Sequence, residues 1–121
     1  MSQILIVEDD PMIQDLLDEI LQDEGFDTVV AADGQTGVEL ARADHPSLIL
    51  MDIMLPVMDG AAAIRQLKAD PATRTIPIIA MSAGATLVRH AEALPADDVL
   101  RKPFNLDVLL ASVTMQLKQA C

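Results

Sequence analysis

The segment ILIVEDD at residues 4–10 decides the fold, because four aliphatic residues in it are followed at once by three acids. An uninterrupted aliphatic run of this length is typical of a strand that is buried on both faces of a sheet. Pro11 follows Asp10, and an Asp cap with Pro at the first helical position is a helix-start signal. The segment therefore predicts a buried strand that leads directly into a helix.

The same strand-to-helix pattern occurs five times along the chain. Aliphatic runs predict strands at residues 4–7, 28–31, 47–51, 76–81 and 99–100. Helical spacing of apolar residues, with capping residues at the ends, predicts helices at about residues 11–24, 34–41, 60–70, 86–94 and from 106 onward. Buried strands separated by helices indicate an α/β domain, doubly wound, with three layers around a parallel sheet.

Length and composition limit the class of protein. The chain has 121 residues, which suits one domain over residues 1–121. Hydrophobic residues make up 51% and charged residues 22%, which argues against disorder, while the absence of Trp and Tyr removes the stacking platforms of single-strand nucleic-acid binders. The net charge of −11 opposes binding to phosphate backbones and anionic membranes, so we expect neither partner.

The acidic residues are concentrated near the N-terminus. Residues 1–41 contain 11 acids and no Lys or Arg, whereas the remaining chain contains eight residues of each sign. Two interpretations stay open, a solvated face that aids solubility and a surface that selects a partner.

Cysteine content and hydropathy indicate the compartment. Cys121 is the single cysteine, which excludes an internal disulfide and a cysteine metal cluster. The N-terminus lacks the pattern of a signal peptide, and no apolar run reaches the roughly 18 residues of a membrane span. We therefore expect a cytoplasmic protein.

Polar residues follow the predicted strands where a ligand would bind. Ligands of doubly wound sheets bind outside the carboxyl ends of the strands, and the residues at those ends are Glu8, Asp9, Asp52, Ser82 and Lys102. Carboxylates that converge repel one another, and Mg²⁺ relieves such repulsion with its preference for oxygen ligands. An aspartate beside the ion can attack phosphorus, while a lysine and a hydroxyl hold the phosphoryl oxygens.

Two acids at the strand ends also have a structural interpretation. Asp10, directly before Pro11, is expected to be a helix cap rather than a ligand. Asp52 interrupts the apolar run at residues 48–55, and the alternative to a functional role there is a loop cap.

Four segments, taken together and in order, resemble the receiver domain of two-component response regulators. They are ILIVEDD (residues 4–10), LILMDIMLPVMDG (48–60), PIIAMSA (77–83) and RKPF (101–104). The resemblance covers essentially the whole chain. It implies a flavodoxin-like (βα)5 fold with a five-stranded parallel sheet of strand order 2-1-3-4-5.

The resemblance also assigns roles by position. Asp52 matches the phosphoacceptor, Asp9 the acid that touches Mg²⁺ directly, and Glu8 the acid that acts through water. Met54 matches the residue whose backbone carbonyl completes the metal shell, Ser82 the hydroxyl that turns toward the phosphoryl group, and Lys102 the lysine that pairs with it. The Lys102–Pro103 peptide bond is expected to be cis.

The resemblance implies a histidine kinase or a histidine phosphotransfer protein as the donor, which the family meets through helix one. Asp15, Asp18, Glu19 and Gln22 would then face that donor. The chain would be a phosphoacceptor that assists its own phosphorylation and dephosphorylation rather than an enzyme. We expect a stand-alone receiver that binds a downstream protein, and the alternative is an effector domain beyond Cys121.

Two departures concern the family's output surface. The stretch from Ser82 to Lys102 is a little short, with PADD at residues 95–98 where GADD is usual. Val99 stands where many relatives have a switch aromatic. Both departures predict a readout surface that differs from the family's common type.

Two rival functions are weighed against the receiver. A pseudo-receiver would be an interaction module that does not cycle phosphate, and it would be expected to have lost an acid or the lysine. An aspartyl-nucleophile phosphatase would want a second Asp where Met54 stands, as general acid.

Overall fold

The structure, a computed structural model, describes residues 2–84, 89 and 93–119. The helix predicted at residues 86–94 lies mainly outside the described residues, as does Cys121. The strands are β1 (Gln3–Val7), β2 (Asp27–Ala31), β3 (Leu48–Asp52), β4 (Ile78–Ala83) and β5 (Asp98–Lys102). The helices are α1 (Pro11–Asp23), α2 (Gly34–Asp44), α3 (Gly60–Ala69) and α4 (Leu106–Gln119).

The five strands form one parallel sheet in the order β2-β1-β3-β4-β5. This confirms the predicted doubly wound α/β fold and the strand order that the resemblance implied. Since β1 and β3 are neighbours at the centre and β4 follows β3, the carboxyl ends of these three strands lie side by side.

Alternating strand residues divide the core into two apolar layers. Leu5, Val7, Ile49 and Met51 pack on one face of the sheet with residues of α2 and α3. Ile4, Ile6, Leu48 and Leu50 pack on the other face with residues of α1 and α4. The side chains alternate because successive residues of a strand point to opposite faces, and this produces the three layers.

The structure confirms four of the predicted helix caps. The side chains of Asp10, Asp33, Asp59 and Asn105 accept hydrogen bonds from the backbone N–H groups of Met12, Thr36, Ala62 and Val108, respectively. These bonds satisfy donors that a helix start leaves without intrahelical partners.

Three strand boundaries differ from the prediction. β3 includes Asp52, and β4 lies two residues further along the chain than predicted, so Ser82 belongs to the strand. β5 has five residues rather than two, because Arg101 and Lys102 pair with β4 although they are polar. Hydrogen bonding to the neighbouring strand, and not apolarity, sets where a strand ends.

None of the helices within the described ranges combines the length and the apolar character that crossing a membrane requires.

Candidate functional site

Three carboxylates and one ammonium meet at the carboxyl edge of the sheet. Oxygens of Glu8, Asp9 and Asp52 lie within 4.8 Å of one another. The Nζ atom of Lys102 donates to Glu8 Oε1 at 2.7 Å and to Asp52 Oδ2 at 3.0 Å. The structure therefore brings together four of the residues that the strand ends predicted.

The strand register explains this convergence. Val7 pairs with Met51, so Glu8 follows β1 beside Asp52, the last residue of β3. Lys102 pairs with Ala83 at the end of β4, and its side chain reaches from there to Asp52.

Ser82 and Met54 occupy different surroundings. Ser82 is buried near the end of β4, and its Oγ has no hydrogen-bond partner within the described part of the chain. The backbone N–H of Met54 donates to Asp52 Oδ1 at 3.0 Å, while the Met54 side chain is 62% exposed. Met54 therefore contributes its backbone to the site and leaves its thioether in solvent.

The site has more negative than positive charge. Glu8 is fully buried, and desolvation, together with a hydrogen bond and repulsion from Asp52, raises its pKa to about 7, although Lys102 opposes the shift. Burial alone would lower the pKa of Lys102, but the hydrogen bonds to Glu8 and Asp52 outweigh it and raise that pKa. Lys102 binds two carboxylates, and among the described residues the carboxylate of Asp9 has no ammonium partner.

The same residues fit a hard divalent cation. Glu8 Oε2 is buried and has no hydrogen-bond partner within the described residues. A buried carboxylate oxygen without a donor is costly, and a cation with oxygen ligands would satisfy it. The donor set of three carboxylates at one edge matches this chemistry.

The loop after β3 is held against the site by close backbone packing. The N–H of Gly60 donates to the carbonyl of Ile53 at 3.1 Å, which closes residues 53–60 into a compact loop. A Cβ atom on Gly60 would lie 1.9 Å from the carbonyl oxygen of Asp52. Only glycine allows α3 to begin this close to the backbone of Asp52.

One residue at the site has no counterpart in the sequence prediction. Gln14 of α1 is half-buried, and its Nε2 donates to the backbone carbonyl of Glu8 at 2.5 Å. A side chain that bonds to a distant carbonyl leaves no residue pattern, since every residue type carries that acceptor. Only the fold itself reveals this contact.

The Lys102–Pro103 peptide bond is cis, as the resemblance implied.

Comparisons with known proteins agree with the fold and with the family resemblance. The family model described as "Response regulator receiver domain" matches residues 4–114. The DNA-binding dual master transcriptional regulator RpaA of Synechocystis sp. is 37% identical over 98% of this chain and 50% of its own length. The chain thus spans about half the length of the curated relatives it matches.

Solved structures of receiver domains superpose closely. The signal receiver domain of a signal transduction histidine kinase from Syntrophus aciditrophicus matches with a TM-score of 0.92 and 35% identity, over 98% of this chain and 92% of that one. The receiver domain of a sensor histidine kinase from Pseudomonas aeruginosa, with a magnesium ion coordinated in its active site cleft, matches with a TM-score of 0.90 and 33% identity, over 97% and 98%. The pseudo-receiver alternative receives no support, because the acids and the lysine are all in place. The chain belongs to the response regulator receiver domain family and is a receiver of two-component signalling.

Proposed function

We propose that Asp52 accepts a phosphoryl group from a histidine kinase or a histidine phosphotransfer protein in a Mg²⁺-dependent reaction. The observation that carries this proposal is the placement of Asp52, whose carboxylate lies within 4.8 Å of those of Glu8 and Asp9 and 3.0 Å from the ammonium of Lys102. The phosphorylated chain then changes conformation and signals to a downstream protein or to an output domain.

The phosphoryl transfer uses the carboxylate of Asp52 as a nucleophile. An oxygen of Asp52 forms a bond to phosphorus while the bond between phosphorus and the donor histidine nitrogen breaks, and that nitrogen keeps the electron pair. The N–H of Met54 on Oδ1 and the ammonium of Lys102 on Oδ2 orient the carboxylate. The product is an aspartyl phosphate.

Glu8, Asp9 and Asp52 are the residues that would hold Mg²⁺, with the Met54 carbonyl as the fourth group implied by family resemblance. When bound, the ion supplies positive charge that offsets the carboxylates and the phosphoryl oxygens. The magnesium ion in the similar Pseudomonas aeruginosa receiver supports this assignment.

Lys102 and Ser82 are placed to respond to the new phosphoryl group. Phosphorylation adds about −1.5 to −2 charges, by analogy with other phosphorylated side chains. Lys102 can exchange its bond to Asp52 for a phosphoryl oxygen, and the buried Ser82 hydroxyl makes no hydrogen bond to any residue that the structure describes. Movement of Ser82 toward the phosphoryl group would shift a two-state equilibrium of the domain.

The proposed readout does not depend on an aromatic side chain at the position where the family resemblance implies one. Val99, half-buried in β5, stands at the switch-aromatic position. We propose that the output passes to a partner protein or an effector domain in the cytoplasm without direct contact between this chain and nucleic acid. Several relatives are named as DNA-binding regulators and are about twice as long, which is consistent with an effector domain outside the receiver.

Labelling with a small phosphodonor tests the phosphoacceptor. We expect acetyl phosphate with Mg²⁺ to phosphorylate the chain, and Asp52→Asn to abolish the incorporation. Asp44→Asn, an exposed acid at the end of α2, is the matched control and should label normally. Undiminished labelling of Asp52→Asn would overturn the assignment, and sustained turnover of generic phosphate esters would favour the phosphatase alternative.

A further inference from the structure

Both backbone groups of Glu8 are hydrogen-bonded. The Glu8 N–H donates to the carbonyl of Ala31 at 3.0 Å. The Glu8 carbonyl accepts from the side-chain amide of Gln14 at 2.5 Å. Gln14 therefore connects α1 directly to the peptide unit that joins Glu8 to Asp9.

Asp9 depends on its backbone for its position. Its side chain is exposed and makes no hydrogen bond or ion pair within residues 2–84, 89 and 93–119. The distance of its carboxylate from Glu8 and Asp52 is consequently set by the conformation of residues 8–10.

Beyond the Glu8 N–H, which is bonded to Ala31, that short backbone segment is held on both sides of Asp9. The Glu8–Asp9 peptide is planar, so a hydrogen bond on its carbonyl restrains the whole unit, including the Cα atom of Asp9. On the other side, Asp10 is fixed as the N-cap of α1 by the N–H of Met12 at 2.9 Å. Removing the Gln14 amide would release the carbonyl of the Glu8–Asp9 peptide, while the bond from the Glu8 N–H to Ala31 and the Asp10 cap remain.

We infer that Gln14 is a positioning residue for the cation site, because its amide holds the Glu8–Asp9 peptide so that the Asp9 carboxylate stays beside Glu8 and Asp52. This inference rests on the proposed function, in which those three carboxylates bind Mg²⁺. Removing a residue that orients a metal ligand without binding the metal itself typically lowers metal affinity 10- to 100-fold. Gln14 acts through the backbone and not on a ligand side chain, so we expect a change near the lower end, about tenfold.

Calorimetric titration with Mg²⁺ tests the inference. Gln14→Met keeps the length of the side chain and removes its donor, and Gln14→Ala is measured beside it so that the result does not depend on one replacement. Gln22→Met is the matched control, since it lies in the same helix and its amide bonds to Asp18 and Thr28. We expect the Mg²⁺ dissociation constant to rise about tenfold in both Gln14 variants and to stay within twofold in Gln22→Met.

Two further measurements separate positioning from general loss of structure. Urea unfolding in EDTA should show similar losses of stability in Gln14→Met and Gln22→Met, although only the first weakens Mg²⁺ binding. Gln14→Arg can donate to the same carbonyl, and its positive charge opposes cation binding. Any recovery of affinity over Gln14→Met therefore comes from the restored hydrogen bond.

The outcomes distinguish the inference from the proposed function. Normal Mg²⁺ affinity in Gln14→Met and Gln14→Ala, or an equal loss in Gln22→Met, would each overturn the role of Gln14 while the cation site stands. A wild-type chain that does not bind Mg²⁺ would overturn the proposed cation site, and the role of Gln14 with it.

Discussion

Burial sets the acid–base behaviour of Glu8. Desolvation, together with the smaller effect of Asp52, raises its pKa from the ordinary 4.5 to about 7 against the opposing effect of Lys102. The folded chain therefore holds a proton on Glu8 more tightly than the unfolded chain does. The free energy of unfolding must then fall as the pH rises between 4.5 and 7. The raised pKa of Lys102 acts only at alkaline pH and does not affect this window.

This behaviour predicts a pH dependence in the absence of divalent cations. We expect the free energy of unfolding to decrease by about 2 kcal/mol between pH 5 and pH 8, and Glu8→Gln to remove most of that decrease. Urea unfolding followed by circular dichroism measures it, since the chain has no Trp for fluorescence. Glu19→Gln, an exposed acid of α1, is the control and should keep the wild-type slope. An equal slope in Glu8→Gln would contradict the role of Glu8.

Protons and Mg²⁺ should compete for the same carboxylate. With the pKa of Glu8 near 7, the ionised fraction falls about tenfold from pH 8 to pH 6. We predict that Mg²⁺ affinity falls by about the same factor, as measured by calorimetric titration in buffers of equal ionic strength. A pH-independent dissociation constant would show that Glu8 does not need to ionise for the ion to bind.

Val57 holds backbone strain in the loop beside the site. Its φ is 67°, and the N–H of Met58 bonds back to the carbonyl of Pro56 at 2.8 Å, so residues 56–58 form a γ-turn of the rare positive-φ form. A β-branched residue is disfavoured there because its Cβ crowds the backbone. The side chain is 86% exposed and contributes little packing in return.

Replacing Val57 with glycine should therefore stabilise the chain. We expect Val57→Gly to raise the free energy of unfolding by about 1 kcal/mol, the steric cost less the added entropy of glycine. Val30→Gly, in the edge strand β2, is the same exchange in extended backbone and should lower stability by about 1 kcal/mol. Urea unfolding compares the two variants. A loss of stability in Val57→Gly would show that the strain argument is wrong.

The sequence predicts those features of the helices and strands that depend on neighbouring residues in the chain. Asp10, Asp59 and Asn105 mark helix starts because a cap is made within three residues. The site followed from the same logic, since topology alone brings the strand ends together. The full length of β5 could not be predicted, because its polar end residues pair with β4 through backbone groups. The Gln14 contact could not be predicted either, because it depends on the packing of α1.

At Gly37 and Gly60, close packing against a neighbouring strand explains why the residue is glycine. Gly37 is unfavourable inside a helix by propensity, yet its position in α2 lies against β1, and a Cβ there would be 2.8 Å from a methyl carbon of Val7. At Gly60 the neighbour is backbone instead, the carbonyl of Asp52. A side chain can adjust, whereas the end of β3 is fixed by the sheet.

Substitution by alanine should separate these two cases. We predict that Gly60→Ala lowers the free energy of unfolding by about 3 kcal/mol and also lowers the rate of phosphorylation by acetyl phosphate, because Asp52 must move. Gly37→Ala should cost no more than about 1 kcal/mol, since Val7 can shift slightly and alanine favours the helix. Urea unfolding and labelling rates measure both effects. Equal costs at the two positions would contradict the distinction between backbone and side-chain neighbours.

At the scale of the whole molecule, charge is distributed unevenly over the fold. The 11 acids of residues 1–41 lie on and around β1, α1, β2 and α2, with no Lys or Arg among them. Asp18 is hydrogen-bonded to Thr28 and Gln22, whereas Asp15 and Glu19 are exposed. The same helix exposes Met12 and Leu16, by 81% and 52%. An apolar strip bordered by acids suits a helical partner with basic residues better than it suits bare solvent.

If this surface steers a phosphodonor, transfer must depend on salt. The Debye length falls from about 10 Å at 0.1 M salt to about 3 Å at 1 M, so attraction between exposed charges is largely lost over this range. We predict that the second-order rate of transfer from a histidine kinase that phosphorylates this chain falls as salt rises. Asp15→Asn with Glu19→Gln should reduce the low-salt rate several-fold and leave the high-salt rate unchanged. Asp107→Asn with Asp44→Asn removes the same charge outside the first 41 residues and is the matched control. A rate that does not change with salt would assign the acidic surface to solubility, because solubility requires net charge but no particular partner.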